Sequence, residues 1–179
     1  MEKIFVTGAT GFIGHRLLEN LKSKGESEIK ILSRHLHPVN ETVVCDLQSE
    51  IIPDDALDGV TSVFHLAGFA HDLRYASKVE NIYRTVNVEA TLRLAELAVR
   101  AEVKRFVFIS SVKAGGSDED DLGAQTEGVY GQTKREAELK ILEIGRQSKI
   151  HVSVVRPSLV YGPGVKGNLA LMRRGIEQW

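Results

Sequence analysis

Thr7-Gly8-Ala9-Thr10-Gly11-Phe12-Ile13-Gly14 decides the reading of this chain. It follows the apolar run Ile4-Phe5-Val6, which reads as a strand covered on both faces. After it, Ile13, Leu17, Leu18 and Leu21 fall on one helical stripe, and Gly25 stands where a left-handed C-cap belongs. A strand, a glycine turn and an amphipathic helix in that order make a dinucleotide-binding fingerprint. Gly8 allows the tight turn out of the strand, Gly11 lets a pyrophosphate approach the backbone, and Gly14 lets the helix pack close to the sheet. The helix N-terminus offers free N–H groups and a partial positive charge to the phosphates. The turn lacks the Gly-Lys-Ser/Thr ending of a triphosphate loop.

Outward from this unit, short apolar runs alternate with helical patterns. Residues 29–32, 43–45, 60–66, 105–109 and 150–155 read as five further strands. Residues 79–100 and 130–147 read as long helices, and 168–178 as one more amphipathic helix. This alternation predicts an α/β fold: a doubly wound parallel sheet with helices on both faces. In such a sheet ligands bind outside the carboxyl ends of the strands. The residues that carry chemistry are therefore expected just after each strand: Arg34, Asp46, Ala67-Gly68, Ser110-Ser111 and Arg156-Pro157.

The 179 residues suffice for one domain with a substantial core. Lys plus Arg is 23 and Asp plus Glu is 24, so the net charge is −1, which argues against a nucleic-acid surface. The single cysteine, Cys45, reads as core, cannot form an internal disulfide and fits a reducing compartment. No apolar run is long enough to span a membrane and no signal-peptide pattern opens the chain, so a cytoplasmic location is expected. His35 and His37 lack a third metal ligand and read as loop, and no metal site is expected. The acidic stretch 117–121 reads as a solvated loop. No Gly-x-Ser-x-Gly nucleophile elbow occurs.

The chain resembles the extended short-chain dehydrogenase/reductase superfamily. The motifs appear in order: the glycine loop, His65-Leu66-Ala67-Gly68, Asn87-Val88-Glu89-Ala90-Thr91, Phe108-Ile109-Ser110-Ser111, Tyr130-Gly131-Gln132-Thr133-Lys134, and Arg156-Pro157 through Gly164. Within the superfamily it is most similar to the nucleotide-sugar epimerase/dehydratase family, the UDP-glucose 4-epimerase-like enzymes. The resemblance implies a Rossmann-like NAD(P)-binding domain over 1–167, with 168–179 beginning a substrate lobe that is otherwise largely absent. It implies cofactor contacts from Gly8, Thr10, Gly11, Phe12, Ile13, Gly14, Asp46, Leu47, Leu66, Ala67, Gly68, Ser110, Tyr130, Lys134 and Pro157. Asp46 would meet the adenine amino group, or be a solvated acid at a strand end. Arg34 stands where NAD-selective members often carry an acid. It could accept the 2′-phosphate of NADP or stack on adenine, so the choice between NAD and NADP stays open with Arg34 favouring NADP.

The resemblance also implies a mechanism. Tyr130 is the acid/base, Lys134 holds the nicotinamide ribose, Ser111 positions the reacting oxygen, and Asn87 supports the lysine. A phenol ionises near pH ~10, and a nearby ammonium with an oxidised nicotinamide is expected to lower that value. His65 is expected to pack behind the cofactor. The implied activity is a nucleotide-sugar epimerase or 4-keto-sugar reductase, with hydride transfer at sugar C4 of a UDP-linked substrate. The alternative is a non-catalytic NAD(P)-sensing protein or an inactive fragment. Val112-Lys113 offers no carboxylate beside Ser111, which disfavours a dehydratase. Relatives carry a longer segment between Ser111 and Tyr130, and often a Tyr at the position of Gly115. A homodimer through the helices at 79–100 and 130–147 is expected.

Overall fold

The computed structural model describes residues 2–25, 27–70, 76–115, 126–165 and 168–177; the acidic stretch 117–121 lies outside them. Among the described residues, six strands form one parallel sheet: β1 (Glu2–Thr7), β2 (Ser27–Ser33), β3 (Glu41–Val44), β4 (Ser62–His65), β5 (Arg105–Ile109) and β6 (His151–Val155). Their spatial order is β3-β2-β1-β4-β5-β6, with Ile4 opposite both Ile29 and Ser62. The order reverses between β1 and β4, so a crevice opens where those strands end. The doubly wound reading of the sequence holds.

Helix α1 (Phe12–Lys24) starts at Gly11 and ends on Gly25, whose φ of 67° makes the left-handed cap. Two core clusters flank the sheet. Ile4, Val6, Ala9, Leu18 and Ile31 pack under α1. The larger cluster gathers Phe5, Val63, Phe106 and Phe108 with Leu94, Leu97, Ala137 and Ile141. Alternate residues of a strand point to opposite faces, so Phe5 and Val6 feed different clusters.

The helix expected over 79–100 is longer and is not regular. α2 (Ala76–Arg84) runs into a π turn, Thr85–Glu89, and then α3 (Ala90–Arg100). The Ala90 N–H reaches back five residues to Thr85 O. The widened turn buries Val86, Asn87 and Val88 in succession, which a regular amphipathic helix does not do. A 3₁₀ turn, Val112–Ala114, precedes α4 (Gly128–Gln147), and α5 (Asn168–Glu177) ends the described residues. Cys45 is buried just past β3 rather than within it. Among the described residues no helix is long and apolar enough to cross a membrane, and no cluster of three metal-ligating side chains occurs.

Candidate active site

The glycine loop sits at the crevice. Gly8 has φ 69°, and a Cβ there would lie 2.6 Å from Ala67 N. The loop leaving β1 therefore touches the segment leaving β4. A Cβ on Gly14 would lie 2.2 Å from Gly8 O, so Gly14 packs α1 against the loop's own backbone and not the sheet directly. Gly11 is the N-cap and has no side chain over the helix terminus, which leaves the N–H groups of Phe12 and Ile13 facing outward from the first turn. Thr10 and Gly11 are exposed, and Phe12 and Ile13 are half-buried.

Other strand ends surround this loop. Arg34 is exposed beyond β2. Asp46, half-buried past β3, accepts the Gln48 N–H at Oδ1 (3.0 Å), while Leu47 turns into the core. Leu66, Ala67 and Gly68 follow β4. Ser110, past β5, donates its backbone N–H to Val155 O, and Pro157 O accepts from Val112 N. The Ser110 Oγ is buried and has no hydrogen-bond partner among the described residues. A cradle that any Cβ would fill, open helix N–H groups and an orphaned hydroxyl at a strand end together fit a dinucleotide.

Ser111 follows β5, and Tyr130 and Lys134 stand in the first two turns of α4. Ser111 Oγ accepts the Lys113 N–H (3.2 Å) and caps the 3₁₀ turn. The Tyr130 side chain hydrogen-bonds to Ser111. Lys134, one turn along α4, is buried with its Nζ 4.2 Å over the Phe108 ring. Burial pushes its pKa down to about 7, against the opposing pull of Glu138. Glu138, fully buried, grips Arg156 through two contacts of 2.8 and 2.6 Å. That grip ties α4 to the exit of β6.

Burial raises the pKa of the Tyr130 hydroxyl, the Ser111 hydrogen bond opposes this, and Tyr83 raises it further. The Lys134 ammonium sits beneath Gly68, 3.4 Å from where a Cβ there would be. Asn87 Oδ1 and Lys134 Nζ flank Gly68, 3.3 and 3.4 Å from where a Cβ there would be, and the Asn87 side chain holds the loop after β4 and Thr133. Its Oδ1 accepts from Phe69 N (2.7 Å), and its Nδ2 donates to Phe69 O (3.1 Å) and Thr133 Oγ1 (3.2 Å).

Two participants escape a motif reading. Thr133 joins Asn87 to the carbonyls of Val129 and Tyr130. Gly131 is pressed on Lys113: a Cβ there would lie 2.1 Å from Lys113 O. The only hint in the sequence is that both lie inside the Tyr-x-x-x-Lys interval.

Comparison with known proteins adds independent findings. The model of the NAD dependent epimerase/dehydratase family matches residues 4–179. A UDP-glucose 4-epimerase of Vibrio cholerae is 34% identical over 99% of this chain and 57% of its own length. A 3-beta-hydroxysteroid dehydrogenase of Mycolicibacterium neoaurum is 33% identical over 98% of this chain and 51% of its own. The solved structure of MoeE5 in complex with UDP-glucose and NAD superposes with a TM-score of 0.80 at 33% identity, covering 96% of this chain and 59% of that one. The chain thus spans between half and three-fifths of the length of these relatives.

Proposed function

The chain belongs to the NAD dependent epimerase/dehydratase family, and from that membership we propose that it forms the dinucleotide-binding and proton-transfer half of a nucleotide-sugar epimerase or 4-keto-sugar reductase. Residues 1–167 make the NAD(P)-binding domain, and 168–179 begin the substrate-binding part. The observations that carry this reading are Ser111 beside the Tyr130 hydroxyl and the Lys134 ammonium under Gly68, next to the Leu66–Ala67 segment against which Gly8 is packed. The UDP-glucose and NAD bound by the similar MoeE5 support a UDP-sugar substrate and NAD. Exposed Arg34 at the end of β2 supports testing NADP beside it.

NAD(P), when bound, supplies the hydride acceptor and donor. The glycine loop and the first turn of α1 would hold its pyrophosphate, and Asp46 its adenine. Ser111 would orient the sugar C4 oxygen by hydrogen bonding. Tyr130 would take the C4 hydroxyl proton and later return one. With burial holding its hydroxyl protonated, the phenol is a ready acid and becomes a base only once the loaded site stabilises the phenolate. Lys134, poised to titrate near neutrality, would provide part of that stabilisation and hold the nicotinamide ribose.

Tyr130→Phe tests this. Dinucleotide affinity should stay within about twofold while UDP-glucose conversion at C4 falls by roughly 10²–10⁴-fold. Undiminished conversion would remove Tyr130 from the chemistry. Dinucleotide binding without any conversion by the unsubstituted protein would select the sensing role instead. Two copies would pair through α2–α3 and α4, where Val99 and Leu139 are exposed.

A further inference from the structure

One buried hydrogen-bond chain crosses the crevice beneath the site. Ala67 N donates to Thr7 Oγ1 (3.1 Å), and Thr7 Oγ1 lies 2.6 Å from His65 Nδ1. His65 Nε2 lies 2.8 Å from Thr91 Oγ1, which donates to Asn87 O (2.9 Å). Thr7, His65, Thr91 and Asn87 are all fully buried.

The Thr91 bond to Asn87 O orders the protons along this chain. The Thr91 hydroxyl has a single proton and gives it to Asn87 O, so its oxygen accepts from His65 Nε2–H. A neutral imidazole with hydrogen on Nε2 has a bare Nδ1, which accepts the Thr7 proton. Thr7 Oγ1 remains free to accept from Ala67 N. Every group is then satisfied without water. The surroundings disfavour a second ring proton. Phe106 and Phe108 of β5 cover the ring, with centroids 6.2 and 5.6 Å away, and the Lys134 charge of α4 opposes another cation.

The ends of this chain are the two lips of the crevice. Thr7 immediately precedes Gly8, where a Cβ would lie 2.6 Å from Ala67 N and 2.7 Å from the Leu66 carbonyl carbon. Asn87 grips Phe69 on the other side of Gly68. We propose that His65 is a positioning residue for dinucleotide binding: as the neutral Nε2–H tautomer between Thr7 and Thr91, it sets the spacing of the glycine loop, the Ala67–Gly68 segment and the π turn. The proposal rests on the dinucleotide reading above. A rigid ring that accepts at one end and donates at the other is what this span requires.

Two measurements test it. The first is ring ¹⁵N NMR on the unsubstituted protein. His65 should show the Nε2–H tautomer without titrating between about pH 8 and 5. An Nδ1–H ring, or a titration in that window, overturns the proton order and the proposal. The second is calorimetric titration with NAD and NADP of the Thr91→Val and Thr91→Ser variants. Loss of the acceptor in Thr91→Val should weaken affinity about tenfold, and Thr91→Ser should restore it. Unchanged affinity in Thr91→Val would leave His65 a packing residue only. An unsubstituted protein that binds neither dinucleotide would instead overturn the dinucleotide reading, and this proposal with it.

Discussion

Lys134 carries the clearest conflict between stability and function. Its ordinary pKa of 10.5 falls to about 7 because the ammonium is buried beside Phe108. Between those two values the unfolded chain binds more protons than the folded one, so this group makes stability rise with pH across that window. Its cost is present in full below about pH 7 and disappears above 10.5. Lys134→Met should therefore melt higher than the unsubstituted protein at pH 7, with the gain shrinking as pH approaches 10. Thermal unfolding at several pH values checks this; a gain that does not change with pH would mean that burial of the charge is not the cost. Tyr130 and Lys134 were legible as a pair from their spacing of four. Their protonation was not, because it depends on burial and on groups remote in sequence, Phe108 under Lys134 and Tyr83 beside Tyr130 among them.

At the scale of elements, the start of α4 is set by a glycine. The 3₁₀ turn Val112–Ala114 lies against α4, with Glu127 N donating to Lys113 O (3.0 Å) and Gly131 against the same carbonyl. Gly131→Ala gains about 1 kcal/mol of helix propensity. It also drives a methyl to 2.1 Å from a backbone oxygen, where neither partner is a flexible side chain. The clash wins, and the substitution should destabilise the fold by about 3 kcal/mol, read by urea unfolding. A neutral result would show that the turn moves freely against α4. The π turn belongs to this scale too. A periodicity of 3.6 predicts a helix through 79–100 and is right about its existence. It cannot register the one-residue shift that buries Asn87 beside Val86 and Val88, since that shift is stabilised by partners in the β4 loop and α4.

Across the whole molecule, apolar surface is distributed unevenly. Leu159 and Tyr161 beyond β6, and Leu171, Met172 and Ile176 on α5, are exposed, whereas the β1–β4–β5 centre is sealed. Val99 of α3 and Leu139 of α4 are exposed on the helical layer, flanked by Arg100 and Lys140. Pairing of two copies through α2–α3 and α4 would cover them, and sedimentation equilibrium should report a dimer that Leu139→Glu weakens. A monomer at every concentration would discard the pairing.

The sequence by itself determined the six parallel strands and the glycine loop at the end of the first. Those features follow from local periodicity, turn chemistry and the handedness of crossover connections, which act over a few tens of residues. The tertiary structure alone decided that Asn87 holds Phe69 and Thr133, that Gly131 carries Lys113, and that His65 spans Thr7 and Thr91. Hydrogen-bond direction and desolvation depend on atoms brought together from distant parts of the chain, and no local pattern encodes which atoms those will be.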